Sequence, residues 1–250
     1  MGLFDLFGKK KTDGAPQKKQ PSEREFVRLS RMVGDKMAQN YDRQEALEAM
    51  SAVGTAQSAA ALLRRFNWSM DPSITDQEEK ELALRGVVAA GDAALDPLRT
   101  YCAKAESLTW PLKVLREIVP EERIADELLA LLDQFDTDYV RNADPKTQLI
   151  TALEAHPSDE VRVAVEPFLV DASEPVRFAA VGTLFAMKDV KSVPALVAQL
   201  AEDESLRVKN RIAQGLVDAG WEVPPDARPA CRAALPPDFR LDGAAVRRAR

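Results

Sequence analysis

The chain has 250 residues, of which 46% are hydrophobic and 30% are charged, and its formal net charge is −6. This length allows one elongated domain or two small ones, and no apolar run approaches the roughly 18–20 residues that a membrane-spanning helix needs. Cys102 and Cys231 stand in no paired spacing, so we expect two reduced thiols in a cytoplasmic protein.

The charge is unevenly distributed. Residues 1–20 carry a net charge of +3 and residues 228–250 carry +4, which leaves −13 on residues 21–227. Lys and Arg supply most of the non-specific affinity for nucleic acid, so an acidic body makes a nucleic-acid groove unlikely by composition. The arginines of "RRAR" at 247–250 keep binding through the tail open as an alternative.

The first eight residues form a short amphipathic segment. Leu3, Phe4 and Phe7 share a helical face and Leu6 flanks it, whereas Asp5 lies opposite. So many large apolar side chains are unusual in a freely disordered tail. The N-myristoylation pattern is not met, because Leu6 stands where Ser or Thr is required.

A basic, flexible linker is predicted at residues 9–21, and it begins with Lys9, Lys10 and Lys11. Lysines beside an apolar segment strengthen contact with an anionic bilayer by about 1 kcal/mol each. Three interpretations of residues 1–11 stay open: a weak peripheral contact with the inner membrane, a peptide that docks on a partner or on its own solenoid, and a disordered end.

The helical period starts at Ser22. Residues 22–40 are predicted to form a capping helix with Phe26, Leu29, Val33 and Met37 along one side. The next unusual segment is "FNWSMDPSITD" at 66–76, an aromatic-rich connection that is longer than its neighbours.

The residues of that connection have two interpretations. Exposed aromatic loops are typical partner contacts, which makes Trp68 and Met70 candidate contact residues. Alternatively Phe66, Trp68 and Ile74 fold back and close the first hairpin, which we favour because large aromatic side chains are usually buried. Trp110 and Trp221 share this ambiguity.

Further helices follow at even intervals. Apolar residues recur with the helical period in three later segments: Ile124, Leu128, Leu131, Leu132 and Phe135; Val161, Val165, Phe168 and Leu169; Val193, Leu196, Val197 and Leu200. No segment shows sustained alternation of apolar and polar residues bounded by hairpin turns, so no sheet is predicted. The fold class is all-α.

A short phrase, an acidic residue followed two positions later by Val or Leu and then by Arg, occurs four times. The copies are "DYVR" at 138–141, "DEVR" at 159–162, "EPVR" at 174–177 and "ESLR" at 204–207, and their arginines are Arg141, Arg162, Arg177 and Arg207. The last two intervals, 15 and 30 residues, fit one half-repeat and one full repeat of a two-helix unit.

These Val/Leu–Arg pairs and the "SVPALVAQL" helix at 192–200 resemble the HEAT repeat in its short bacterial form, which is similar to the repeats of phycobilisome lyases. The resemblance covers about 138–220 and extends over 42–136, where "LDPLRTYC" at 95–102 looks like a diverged second helix. It implies a right-handed α-solenoid of about five antiparallel helix hairpins over residues 22–235, followed by a basic tail at 236–250. Such solenoids usually bind other proteins.

The repeated arginines have a structural and a functional interpretation. Each lies three residues after an acid, and Ser158 and Ser173 are natural N-caps. We therefore favour capped helix starts whose Arg also bridges to the adjoining repeat. The alternative is a row of arginines for an anionic partner.

No catalytic, metal-binding or cofactor-binding residues are predicted. His156 is the only histidine, no cysteine spacing completes a metal site, and nucleotide-binding and metalloprotease motifs are absent from the sequence. We predict a non-enzymatic scaffold that binds a protein partner, a basic one by charge, through an acidic curved surface. A lyase-like or enzyme-accessory role remains the alternative, and the sequence does not indicate an oligomeric state.

Overall fold

The computed structural model describes residues 21–249, and these form thirteen α-helices and one short β-hairpin. The all-α fold class is confirmed. The helices are α1 Glu23–Gly34, α2 Asn40–Ser51, α3 Ala56–Leu63, α4 Ser73–Ala89, α5 Leu95–Cys102, α6 Thr109–Ile118, α7 Glu121–Leu132, α8 Asp144–Ala152, α9 Asp159–Val165, α10 Glu174–Ala186, α11 Val193–Glu202, α12 Leu206–Ala219 and α13 Arg228–Ala234. The strands are β1 Phe239–Asp242 and β2 Ala245–Arg248.

The helices pack as two layers of an α-solenoid. Helices α2, α4, α6, α8, α10 and α12 form layer A, in which α2 packs on α4 and α8 on α10. Helices α3, α5, α7, α9, α11 and α13 form layer B, in which α3 packs on α5 and α11 on α13. The described chain thus has six helix pairs, including the short last one, and α1 covers α2 and α3 at one end.

A continuous hydrophobic core runs between the layers from Leu29 to Val246. The predicted stripe of α11 is buried in full, with Val193, Leu196, Val197 and Leu200 at most 2% exposed. Burial of such a side chain contributes roughly 1.5–3 kcal/mol, so the periodic apolar stripes account for most of the favourable packing energy.

Polar side chains fix several helix starts. Ser22, Thr55, Ser158 and Ser205 each accept a hydrogen bond from the backbone N–H three residues later. These caps satisfy N–H groups that lack a partner inside the helix. Ser173 also precedes a helix, α10, but its side chain makes no capping bond.

The predicted capping helix is shorter than expected. Helix α1 ends at Gly34, and Met37 is 88% exposed in the connection that follows. The placement of Met37 on the buried side was therefore wrong. Leu29 and Val33 are buried as predicted.

The connection at 66–76 is also shorter than the sequence suggested. A 3-10 turn covers Arg64–Asn67 and α4 already begins at Ser73. Phe66 is buried and stacks on Trp110, with ring centroids 5.7 Å apart. Ile74 is 71% exposed, so the prediction that it folds back was wrong.

The prediction of no sheet is wrong at the C-terminal end. Strands β1 and β2 pair antiparallel through a two-residue turn, and Gly243 adopts a φ of +62° there. A two-residue hairpin turn requires such left-handed backbone, which Gly adopts easily. The hairpin lies within the predicted basic tail and packs on α12 and α13.

The repeats that contain α10 and α12 are 32 residues apart, not 30. Asp171 and Asp203 are both buried, and each accepts a hydrogen bond from a backbone N–H two residues later, at Ser173 and Ser205 (2.7 and 2.8 Å). These paired positions define the register of α10 against α12.

The corrected register changes the equivalence of the arginines. Val176 and Val208 are fully buried and occupy the same place in α10 and α12. The equivalent of Arg177 is therefore Lys209, whereas Arg207 lies two residues too early. The sequence interpretation of Arg207 as the matching repeat position was wrong.

"DYVR" at 138–141 is not a helix start. These residues lie in the irregular connection between α7 and α8, and Arg141 is exposed there, before α8 begins at Asp144. The expected helix-surface pair of Asp138 and Arg141 is consequently not formed.

Within residues 21–249, no helix has both the length and the apolar character that a bilayer crossing requires.

Candidate protein-interaction surface

Three adjoining depressions of the described chain follow layer B. One of about 690 Å³ lies between α7 and α9, and one of about 450 Å³ lies between α9 and α11. A third, of about 330 Å³, continues to the start of α12. Pro167 lines the first two, and Val170 lines the last two. We call this continuous surface, from Leu129 to Glu204, the α7–α11 groove.

The floor of the α7–α11 groove is apolar. Val163 is 55% exposed and Val170 is 69% exposed, and Pro167 and Ala198 are exposed beside them. Valine side chains at this exposure are not needed for the core, because Val161 and Val165 already supply the buried face of α9. The exposed valines therefore remain free for contact with another molecule.

A proline shapes this floor. Pro167 has no backbone N–H to donate to the carbonyl of Val163, so α9 ends at Val165 and a 3-10 turn follows over Glu166–Val170. That turn buries Phe168 and Leu169 while it leaves Val170 outside. The short helix and the turn together open the depression against α11.

The rim of the groove is acidic. Four lining carboxylates form no ion pair with any residue of the described chain: Asp133, Glu160, Glu202 and Glu204. Because the two arginines that line the groove are already paired, the rim carries uncompensated negative charge.

The charge of Arg162 is compensated by three carboxylates, two in its own repeat and one in the next. Its guanidinium contacts Asp159 and Glu166 at 2.9 Å each, and Asp189 at 3.5 Å. The hydrogen bond with Asp159 and the charge of Glu166 raise the pKa of Arg162. Its guanidinium is thus unavailable to an anionic partner.

Arg177 and Arg207 connect neighbouring repeats. Arg177 donates to both carboxylate oxygens of Asp203 at 2.8 and 3.0 Å, and to the backbone carbonyl of Asp171. Arg207 donates to Glu174, 33 positions earlier, at 3.0 Å. These contacts agree with the structural interpretation, although the acid three residues before each Arg is not its ion-pair partner.

Trp68 and Met70 lie over a buried charge network. The Trp68 ring is half-buried beneath the guanidinium of Arg65, whose Cζ is 3.8 Å from the ring centroid. The Sδ of Met70 accepts a hydrogen bond from Arg43 at 3.2 Å. The two residues are therefore packed partly inward, and contact with a partner remains a prediction for them.

The thiols and the histidine make a poor catalytic set. Burial raises the pKa of Cys102 to about 12 and also raises that of Cys231, so both thiols are protonated near neutral pH. His156 Nδ1 lies 3.8 Å from Glu121 Oε1, and neither cysteine is near in sequence. The described residues contain no cluster of three potential metal ligands.

The predicted sites at Leu3, Phe4, Leu6, Phe7, Lys9, Lys10 and Lys11 lie outside the described residues. Sequence reasoning also missed the groove residues Val163 and Val170. The sequence did contain a signal for them. The buried positions of this segment are occupied by Val161, Val165, Phe168 and Leu169, so the apolar side chains of Val163 and Val170 are left outside the core.

Comparison with known proteins gives one match. No curated protein matches the sequence. Residues 125–217, which contain α8 to α11 and most of α7 and α12, match the family described as HEAT repeats. The repeats of residues 125–217 are therefore of the HEAT type.

Proposed function

We propose that this protein is a non-enzymatic scaffold that binds a basic, partly apolar segment of a protein partner along the α7–α11 groove. HEAT repeats generally serve as protein-interaction scaffolds. The observation that carries the proposal is the combination of exposed valines on the floor with unpaired carboxylates on the rim. The groove also falls within the recognised repeats.

The chemistry of the groove supports a basic, partly apolar partner segment. Val163 and Val170 take apolar side chains spaced along one face of a peptide or helix, and burial of each exposed valine contributes about 1–2 kcal/mol. Glu160 and Glu202 flank this floor and attract Lys or Arg of the same segment. Charge of this kind mainly increases the association rate and the selectivity for basic partners.

Selection from a library of random displayed peptides tests this proposal. We expect the recovered peptides to combine Lys or Arg with apolar residues, and the double variant Val163→Asp, Val170→Asp to weaken their binding by about tenfold or more. The matched control replaces two equally exposed residues elsewhere, Val190→Asp and Leu206→Asp, and should bind normally. Recovery of acidic peptides, or unchanged binding by the groove variant, would contradict the proposal.

The amphipathic N-terminal segment is proposed to position the scaffold, at a membrane surface through residues 1–11. Apolar side chains next to lysines favour weak, reversible binding to anionic bilayers. Full-length protein should float with anionic liposomes, and protein that lacks residues 1–20 should not. Identical flotation of the two proteins would exclude the anchor and leave the groove proposal standing.

A further inference from the structure

The outer seam between α10 and α12 is formed by two helical stripes that face each other. Glu174, Phe178 and Gly182 follow one another at intervals of four on α10. Arg207 and Arg211 do so on α12. We call this surface the α10–α12 seam. It belongs to layer A, whereas the α7–α11 groove belongs to layer B.

The two arginines of the seam stack on one aromatic ring. The Cζ atoms of Arg207 and Arg211 lie 3.7 and 4.0 Å from the centroid of Phe178. Arg207 is neutralised, because it donates to both carboxylate oxygens of Glu174 at 3.0 and 3.2 Å. One positive charge of the pair is therefore compensated and the other is not.

Arg211 has no hydrogen-bond acceptor or ion-pair partner within residues 21–249. Burial is the main cause that lowers its pKa, and neighbouring Arg207 lowers it further, while the charge of Glu154 on the adjoining α8–α9 connection acts in the opposite direction. Glu154 does not come within 4.0 Å of it. A half-buried guanidinium without a close counter-charge loses part of its hydration, and a carboxylate partner would offset that loss.

The guanidinium of Arg211 packs against the backbone of Gly182. A Cβ atom on Gly182 would lie 1.9 Å from Nη2 of Arg211 and 2.8 Å from its Cζ. The guanidinium thus occupies the space that any other residue at position 182 would fill. None of its nitrogen atoms is among the fully buried polar atoms that lack a hydrogen-bond partner, so the guanidinium is not sealed from solvent.

We propose that Arg211 in the α10–α12 seam binds a single Asp or Glu side chain of a protein partner. Only one charge of the seam is uncompensated, which matches a monovalent carboxylate better than a divalent phosphate. The planar guanidinium donates two parallel hydrogen bonds to a carboxylate. The acidic body of the chain further disfavours a polyanion such as nucleic acid. This site is independent of the groove, since it lies in the other layer and selects the opposite charge.

Titration with acetate tests the site directly, with the Arg211 Nε–Hε NMR resonance of the full chain as the readout. We expect a saturable shift with acetate and none with chloride at equal ionic strength. Gly182→Ala displaces the guanidinium without removing its charge, and should weaken acetate binding by about tenfold, as loss of a charge-assisted hydrogen-bonded pair does. Arg24, an exposed arginine of α1 without an ion pair among the described residues, is the matched control resonance.

Three results would overturn the proposal. The first is a shift of Arg211 that does not saturate or that equals the shift of Arg24. The second is saturation by inorganic phosphate but not by acetate, which would refute the carboxylate assignment. The third is full acetate binding by Gly182→Ala.

A second measurement separates a binding role from a structural one. Arg211→Met retains the apolar stem and removes the unpaired charge, so the melting temperature should stay equal or rise. A clear fall in melting temperature would mean that the native fold already compensates Arg211, for instance through Glu154, and would refute the proposal.

Discussion

The first and second halves of this solenoid both contain buried charge, but they arrange it differently. Between α2 and α4, one carboxylate oxygen, Oε2 of Glu79, accepts hydrogen bonds from Nε of both Arg43 and Arg65 at 2.8 and 2.7 Å. Arg65 also forms an ion pair with Asp76 at 2.7 Å, and Asp76 forms one with Lys80 at 2.8 Å. The contact between α2 and α4 is thus supported by one branched network.

The second half instead repeats a simple pair. Lys146 of α8 contacts Asp171 at 2.9 Å, and Arg177 of α10 contacts Asp203 at 2.8 Å. Asp171 and Asp203 lie three residues before α10 and α12, so each pair joins one repeat to its successor. This regular use of charge coincides with residues 125–217, where the HEAT repeats are recognised.

The difference shows how repeats diverge while the fold is kept. A basic residue of one layer A helix paired with an Asp before the next recurs at similar intervals, 31 residues for the bases and 32 for the acids, and such periodicity is visible to a family comparison. The network in which Glu79 accepts hydrogen bonds from two arginines has no counterpart in the next repeat. The first half therefore has the same stack of helices but no repeated sequence pattern that the family comparison recognises. The loss of one network member should therefore have a larger effect than the loss of one pair member.

The largest effect is expected for Glu79→Gln. Arg43 and Arg65 are fully buried, and this change leaves both without their shared negative charge. Breaking a buried ion pair from one side costs about 3–5 kcal/mol, so we expect a fall of that size in the free energy of unfolding. Urea unfolding followed by circular dichroism measures it.

The neighbouring exposed acid provides the control for this prediction. Glu78→Gln changes the same charge on the same helix at the surface, and it should alter the stability by less than about 0.5 kcal/mol. Equal effects of the two substitutions would show that the network does not support the first half.

The periodic apolar stripes predicted the helices and their packing, because hydrophobic burial depends on position within a helix and not on distant partners. Buried charge could not be predicted in this way. Glu79 and Lys80 stand among the buried positions of α4 together with Ala83 and Val87, although their residue types are those of a solvated surface. Their burial depends on Arg43, 36 positions before Glu79, which local periodicity does not reveal.

Two other differences between the prediction and the structure, the C-terminal hairpin and the repeat register, concern short local patterns that an analysis of helical periodicity does not detect. Gly243 and Ala244 form a hairpin turn that begins with Gly, a recognised turn sequence, but the flanking strands have only four residues each. Similarly, the shared Val/Leu–Arg phrase matched "EPVR" with "ESLR", whereas the structural equivalence follows Asp171 and Asp203. The groove was not predictable as a site, since its shape depends on how Pro167 ends α9 against α11.

A smaller effect is expected for Asp203→Asn, which removes one pair of the repeating kind. Arg177 retains hydrogen bonds to backbone carbonyls and is partly exposed, with 15% of its side chain accessible. The loss of a hydrogen bond to a charged group costs about 1.5–3 kcal/mol, so the free energy of unfolding at pH 7 should fall by that amount. The ratio of this loss to that of Glu79→Gln measures the difference between the two halves.

The pH dependence of the same variant sharpens the comparison. Burial pushes the pKa of Asp203 upward, but hydrogen bonds from Arg177, Ser205 and Gln199 outweigh it and lower the pKa below its ordinary value of 3.8. A carboxylate with a lowered folded-state pKa contributes stability that is complete above the unfolded pKa and is lost as the pH falls through the folded one. The stability difference between wild type and Asp203→Asn should therefore be constant from about pH 7 to 5 and shrink below pH 3.8 in urea unfolding. A difference that grows toward low pH would show that Asp203 is protonated in the folded protein, and that the repeating pair is not ionic.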